Sequence, residues 1–271
     1  MNPPTHPAGP LRNRLLERLR SGDLASIMSV RLNRGPEIAY LAATAGFDAL
    51  YVDLEHCTMS ADDASRICLA ALGAGITPLV RVPVVDAAHV PRLLDGGAMG
   101  IIGPHIRTAE EARALVSLCK FPPCGTRSSV AALPQLAYRP LAAMDVHDTM
   151  NRATVVIAMV EDEASLAQVE DIAAVEGLDA ILVGTQDLCA SLGLGDQADH
   201  PLIDAAFART IRACRAHDKW VGVGGLARNR TLLRRYVDMG AGFLSLGTDL
   251  SFLLDGARQQ VAVLESLRQP R

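Results

Sequence analysis

The sequence predicts an α/β protein, and within that class a (β/α)8 TIM barrel. Three observations carry the prediction. Short β-like apolar runs recur eight times, segments with apolar residues at helical spacing lie between them, and the helical segments repeatedly stop at glycine just ahead of the next run. No composition break or Ser/Gly-rich linker divides the 271 residues, so a single catalytic domain over residues 11–271 is expected behind a disordered Pro-rich leader, residues 1–10.

In chain order, Ala25 to Val30 and Ala49 to Leu54 are the first two strands, and Ala61 to Gly73 is a helix closed by the Gly73-Ala74-Gly75 signal. Pro78 to Val82 is the third strand, followed by a helix over Ala87 to Gly96 that ends at Gly96-Gly97. Gly100 to Pro104 and a helix over Ala109 to Leu118 come next. Lys120 to Arg152, with Pro122-Pro123, Gly125, Pro134 and Pro140, is too long for an ordinary connection and reads as a functional lid or rim. Thr154 to Val160, a helix over Ser165 to Ala174, and the runs Ala180 to Gly184, Trp220 to Gly224 and Phe243 to Gly247 complete the barrel, the last following Met239-Gly240-Ala241-Gly242. An open doubly wound sheet is the alternative. Its phosphate fingerprint is missing, because GVGG at Gly222 to Gly225 lacks a third glycine at the required spacing.

Composition narrows the function. A formal net charge of -4 and a pI near 6.0 leave no global basic field, so nucleic acid is not an expected partner. No window reaches the roughly 18 uninterrupted apolar residues of a membrane helix, and MNPPTHPAGP lacks the pattern of a secretory signal. A cytoplasmic protein is expected. Six cysteines without a CxxC pair read as free thiols rather than disulfides or a zinc site.

In a (β/α)8 barrel the chemistry sits at the C-terminal ends of the strands. There the sequence places Asp53, Glu55 and His56 after the second run, Arg81 on the third, His105 after the fourth, Glu161 after the fifth, and Gly184, Thr185, Gln186 and Asp187 after the sixth. Glu161 and Asp187 are hard oxygen donors suited to Mg2+ or Mn2+, with Co2+ able to substitute; zinc would want nitrogen or sulfur ligands, for which His105 is the only neighbouring candidate. A metal with open positions suits a 2-oxo acid, whose carboxylate and carbonyl oxygens chelate together. Arg81 would then meet the developing enolate oxygen, and His56 has the intrinsic pKa of a base. Each also has a plain structural reading. Arg81 pairs with Asp53 inside the barrel, His56 is a satisfied histidine, and Asp95 either orients the imidazole or merely ends a helix. Arg31 and Arg139 are candidates to bind a distal carboxylate, or are surface arginines.

With these residues, the chain resembles the metal-dependent class II pyruvate aldolases of the HpcH/HpaI family. The resemblance rests on GFDALYVDLEH (46–56), PLVRVP (78–83), RLLDGGAMGII (92–102), AEEAR (109–113), FPPCGTRS (121–128), VEGLDAILVGTQDLCASLG (175–193) and MGAGFLSLGTDLSFL (239–253). It implies metal ligation by Glu161 and Asp187, enolate stabilisation by Arg81, a catalytic His56 sharpened by Asp95, and pyruvate carboxylate binding by backbone amides around Gly184, Gln186 and Asp187. It also implies a phosphoenolpyruvate/pyruvate-type barrel whose last helix, after Thr248, swaps between subunits of a hexamer built as a trimer of dimers. Met159 stands where the well-studied aldolases carry a glutamine. GPHIRTAEEAR and LPQLAYRP are similar to the macrophomate synthase branch, which has a histidine like His105 at the end of the fourth strand, among the substrate-binding residues.

The expected activity is therefore that of a carbon–carbon lyase, an aldehyde-lyase acting on a 4-hydroxy-2-oxo acid through a pyruvate enolate, with pyruvate or another 2-oxo acid and an aldehyde as partners and oxaloacetate decarboxylation as a second activity. An acyl-CoA lyase of the citrate lyase β type uses the same carboxylate pair, but no basic motif for a CoA tail is present. A barrel that binds a small acid without turning it over would have little need of His56.

Overall fold

The computed structural model describes residues 11–130 and 132–268; the leader expected at residues 1–10 lies outside them. Among the described residues, eight parallel strands close into a barrel in chain order: β1 (Ala25–Val30), β2 (Ala49–Asp53), β3 (Thr77–Arg81), β4 (Gly100–Gly103), β5 (Val155–Val160), β6 (Ala180–Gly184), β7 (Trp220–Gly224) and β8 (Phe243–Thr248). Every boundary lies within one residue of the sequence expectation. The helices are α1 (Arg14–Arg20), α2 (Glu37–Thr44), α3 (Ala61–Ala74), α4 (Val90–Asp95), α5 (Ala109–Cys119), α6 (Ala143–Ala153), α7 (Glu163–Ala167), α8 (Val169–Ala173), α9 (Thr185–Ser191), α10 (Pro201–Arg215), α11 (Arg230–Met239) and α12 (Asp249–Leu267).

Local chemistry fixes the helix ends. Ser60 and Thr108 open α3 and α5 with reciprocal capping boxes to Asp63 and Glu111. The helix expected from Ala87 starts later, at Val90, because Asp86 accepts from the amides of Ala88 and His89 and holds them in a turn. The helix expected over Ser165 to Ala174 divides into α7 and α8 at Gln168.

Side chains on a strand alternate between faces. Ala25 and Ile27, Ala49 and Tyr51, Leu79, Ile102, Val155, Ile157 and Met159, Ala180 and Leu182, and Phe243 fill the barrel interior in one buried cluster. Their neighbours, such as Leu50, Val52, Val80, Val156, Ala158, Ile181 and Val183, pack outward beneath the helices. Each fully buried aliphatic side chain contributes about 1.5–3 kcal/mol. Leu15, Leu16 and Leu19 of α1 join the interior cluster from the N-terminal ends of the strands and close that end. Asn13 fastens the plug, capping α1 while donating to the Ala153 carbonyl, and the Leu15 amide donates to Thr77 Oγ1 at the start of β3.

The stretch Lys120 to Arg152 does not line the mouth of its own barrel. It carries a short 3-10 turn (Pro134–Leu136) and α6, and folds over its own small core of Phe121, Leu133, Leu136, Val146 and Met150. Gln135 donates to the carbonyls of Leu94 and Ala98, and Lys120 Nζ to those of Asn151 and Thr154, so the segment is tied to residues just ahead of β4 and β5. The physical reason is topological: a connection from a helix to the next strand lies at the N-terminal end of a parallel barrel.

All six cysteines are free, and burial pushes the thiols of Cys68, Cys119 and Cys214 up to about 12. No helix among the described residues is long and apolar enough to cross a membrane. Helix α12 stands apart from the core. Its Leu250, Phe252, Leu253, Leu254 and Leu264 are exposed within the chain.

Candidate active site

The alternation that fills the barrel continues past its last apolar layer, and the next inward positions are charged. Asp53 and Glu55 follow Tyr51, Arg81 follows Leu79, and Glu161 follows Met159. Arg31 continues the same register beyond β1.

Asp53 and Arg81 are paired across β2 and β3, and the register makes their contact bidentate: Arg81 Nε donates to Asp53 Oδ1 at 2.8 Å and Nη2 to Oδ2 at 2.5 Å. Arg31 Nε adds a third hydrogen bond to Oδ2 at 2.6 Å. The other arm of Arg81 lies 3.0 Å from Glu55 Oε2 and reaches Met159 Sδ at 3.6 Å. Asp53 is fully buried and Arg81 is 4% exposed. Burial opposes ionisation of Asp53, but the hydrogen bonds and charge of Arg81, with the charges of Arg31 and His56, outweigh it and hold its pKa below the ordinary value.

A second carboxylate group adjoins the first. His105 stands after β4 with φ +54°, and its amide donates to Glu161 Oε1 at 2.7 Å. Its ring Nδ1 lies 2.9 Å from that same oxygen, and Nε2 lies 2.8 Å from Glu55 Oε1. Burial raises the Glu161 pKa, helped by the charges of Glu55 and Asp187 and opposed by His105. Among the described residues nothing donates to Glu161 Oε2. That oxygen lies against Gly184, where a Cβ would come within 2.8 Å of Glu161 Cβ and 2.9 Å of Oε2. Glycine is therefore what allows the carboxylate to sit over the end of β6. Asp187 is exposed in the first turn of α9, and its charge is felt at Glu161.

These donors fit a divalent hard cation. No three His, Cys, Asp or Glu residues among those described gather into a closed metal cage. Glu161 after β5 and Asp187 after β6 bring hard oxygen donors to neighbouring strand ends, the donor type that magnesium-class ions accept.

His56 leaves the register at the same rim. Its amide donates to Asp53 Oδ1 at 3.3 Å, its Nε2 lies 3.5 Å from Glu55 Oε2, and half of its side chain meets solvent. Asp95 is not beside it. Helix α4 runs away from the mouth, and at its far end Asp95 Oδ1 accepts from Arg127 Nη2 at 2.7 Å. The pairing of Asp95 with the imidazole is therefore corrected within this chain: the neighbours of His56 are Asp53 and Glu55. Arg139 is likewise remote from the mouth, its Nε bound to the Leu136 carbonyl. Gln186 lines a cavity of about 740 Å3 beside Gly225, Arg228 and Arg230, next to the rim.

Asp53, Arg81, His56, His105, Glu161, Gly184, Gln186 and Asp187 all lie at or just after the C-terminal ends of their strands, where the sequence predicts them. Glu55, which has no assigned role in the sequence, contacts Arg81, His105 and His56 together. The signal was available: in the series 49, 51, 53, 55 an inward register ends in two acids.

Comparisons with known proteins bear on the family and the fold. The family model described as HpcH/HpaI aldolase/citrate lyase matches residues 30–255. A 4-hydroxy-4-methyl-2-oxoglutarate aldolase of Hapsidospora irregularis is 40% identical over 262 residues, covering 96% of this chain and 97% of that protein. The crystal structure of an HpcH/HpaI aldolase from Desulfitobacterium hafniense superposes with a TM-score of 0.89 at 29% identity, covering 96% of this chain and 98% of the other. Macrophomate synthase shares the fold, with a TM-score of 0.78 at 21% identity over 95% of this chain and 90% of the other.

Proposed function

The chain belongs to the HpcH/HpaI aldolase/citrate lyase family, and from that premise we propose that it is a divalent-metal-dependent aldolase that cleaves or forms a 4-hydroxy-2-oxo acid at its C3–C4 bond. The observation that carries the reading is a buried Arg81, held by Asp53 in a bidentate contact, at the same strand ends as Glu161, where the charge of Asp187 is also felt. The relative's named substrate, a 4-hydroxy-4-methyl-2-oxo diacid, is the first compound to try.

Glu161 and Asp187 would hold the cation, Mg2+ or Mn2+ by their donor chemistry, which when bound would supply Lewis acidity at the oxygens of the 2-oxo acid. The remaining work falls to the chain's own groups. In cleavage, His56 accepts the proton of the 4-hydroxyl, C4–O becomes a carbonyl, and the C3–C4 electron pair passes to C2 and its oxygen. Arg81 donates to that oxygen as its charge grows, already oriented and already desolvated, so little reorganisation is needed. A proton then returns to C3 and gives pyruvate. Asp53 keeps the guanidinium in place, and the first-turn amides of α9, which no side chain caps, are available to the substrate carboxylate. Loss of carbon dioxide from oxaloacetate leaves the same enolate and is the expected second activity.

The test is pyruvate release from 4-hydroxy-4-methyl-2-oxoglutarate with Mn2+, with a chelator, and in Glu161→Ala. Turnover lost under both of the last two conditions is expected; full turnover in metal-free protein would falsify the reading. The exposed apolar side chains of α12 support assembly into a homo-oligomer, with the hexamer as the expected form, measurable by light scattering.

A further inference from the structure

The least ordinary backbone at the mouth belongs to His105, and its side chain makes the contacts the proposed mechanism does not use. It takes a left-handed conformation, φ +54°, which costs a non-glycine residue energy and persists where the surroundings demand it. The geometry shows what is gained. In this conformation the backbone amide and ring Nδ1 both address a single atom, Glu161 Oε1, at 2.7 and 2.9 Å. The far side of the ring, Nε2, contacts Glu55 Oε1 at 2.8 Å, and the second oxygen of Glu55 lies 3.0 Å from Arg81.

We propose that His105 is a positioning residue: a strut that occupies Glu161 Oε1 so that Oε2 is turned to the cation, and that sets the spacing between the metal carboxylates and Arg81. Three features support it independently. Oε1 receives two contacts from one residue while Oε2 receives none among the described residues. Gly184 leaves the room that Oε2 occupies, which any Cβ would fill. The chain Glu161–His105–Glu55–Arg81 is continuous and joins the two groups that must bear on the same substrate oxygen. This assigns His105 to the orientation of protein groups rather than to the substrate contact expected from its position in the sequence.

The inference rests on Glu161 and Asp187 being the metal pair, and the experiment separates the two ideas. Mn2+ binding is measured by electron paramagnetic resonance on wild type, Glu161→Gln, His105→Gly and His105→Asn, with oxalate added as a mimic of the pyruvate enolate. His105→Gly retains the left-handed backbone and its amide while deleting the ring; the Asn variant also tolerates that backbone. Residues that orient a ligand typically cost about 10–100-fold in metal affinity when removed, and that loss is expected in the Gly variant. The Asn variant, able to reach Glu161 but not Glu55 as well, is expected to recover Mn2+ affinity and still bind oxalate more weakly. If Glu161→Gln leaves Mn2+ affinity intact, the metal assignment is wrong. If Glu161→Gln loses affinity but His105→Gly binds Mn2+ and oxalate as wild type does, the strut alone is overturned. Unchanged thermal unfolding of the Gly variant excludes misfolding as the cause of a loss.

Discussion

Asp53 and Arg81 face each other across β2 and β3, and one carboxylate takes two parallel hydrogen bonds from the guanidinium at 2.8 and 2.5 Å, where both side chains are buried. Neither charge has water as an alternative partner. Arg81 is thus held in one orientation by the chain itself.

Asp53→Asn should be costly, because it leaves a buried guanidinium short of counter-charge. Breaking such a pair typically costs about 3–5 kcal/mol, against about 0–1 for a surface pair. Urea unfolding of the two proteins measures it. A loss below about 1 kcal/mol would mean that Glu55 compensates for the missing charge.

Acid should act through the same carboxylate. The pKa of Asp53 is lowered in the fold, so its stabilisation is fully present above the unfolded value, about 3.9, and is lost as pH falls through the folded value. Wild type is expected to lose stability below about pH 4 more steeply than Asp53→Asn. Parallel stability curves across that window would remove Asp53 from the explanation.

Arg81→Lys keeps the charge but not the fork that matches a carboxylate on one side and an oxyanion on the other. Loss of a group that acts mainly as charge develops costs about a hundredfold to a thousandfold in kcat. The loss should be similar for aldol cleavage and oxaloacetate decarboxylation, which share the enolate. Unequal losses in the two assays would place Arg81 on the leaving fragment instead.

His56→Ala should divide those two reactions. Aldol cleavage needs a base for the 4-hydroxyl proton and is expected to slow by about 10²–10⁴-fold. Breaking a bond to carbon dioxide releases no such proton and should be spared, as should Mn2+ affinity. Exchange of pyruvate methyl protons with deuterated water, followed by NMR, should slow along with cleavage; exchange at the wild-type rate would assign the base elsewhere.

Much of this arrangement was legible because two short-range rules coincide. Alternation along a strand decides which side chains enter the barrel, and parallel topology decides at which end polar ones are useful, so Asp53, Arg81 and Glu161 could be placed without tertiary knowledge. The misplacements share a cause: they concern residues on helices and long connections, where local pattern does not tell which end of the barrel is nearest. Asp95, expected to pair with His56, ends a helix that runs to the opposite face of its own barrel, against Arg127, so within one chain the two do not meet. Lys120 to Arg152 looked like a lid because it is long and rich in proline, yet its partners Leu94, Ala98 and Thr154 precede strands rather than follow them. His105 was visible as a residue but not as a conformation, since nothing in GPHIR announces a left-handed backbone.

The apolar plug of Leu15, Leu16 and Leu19 makes the barrel a well with one opening. Traffic through a single door acquires an order. In the proposed reaction the fragment that keeps C1 to C3 would lie against Glu161 and Arg81, with the other fragment above it, so in cleavage the carbonyl fragment should depart before pyruvate, and in synthesis pyruvate should enter first. With a hydroxy-oxo acid whose carbonyl fragment is an aldehyde rather than a second pyruvate, product inhibition should record that queue: pyruvate competing directly with the hydroxy-oxo acid, and the aldehyde not.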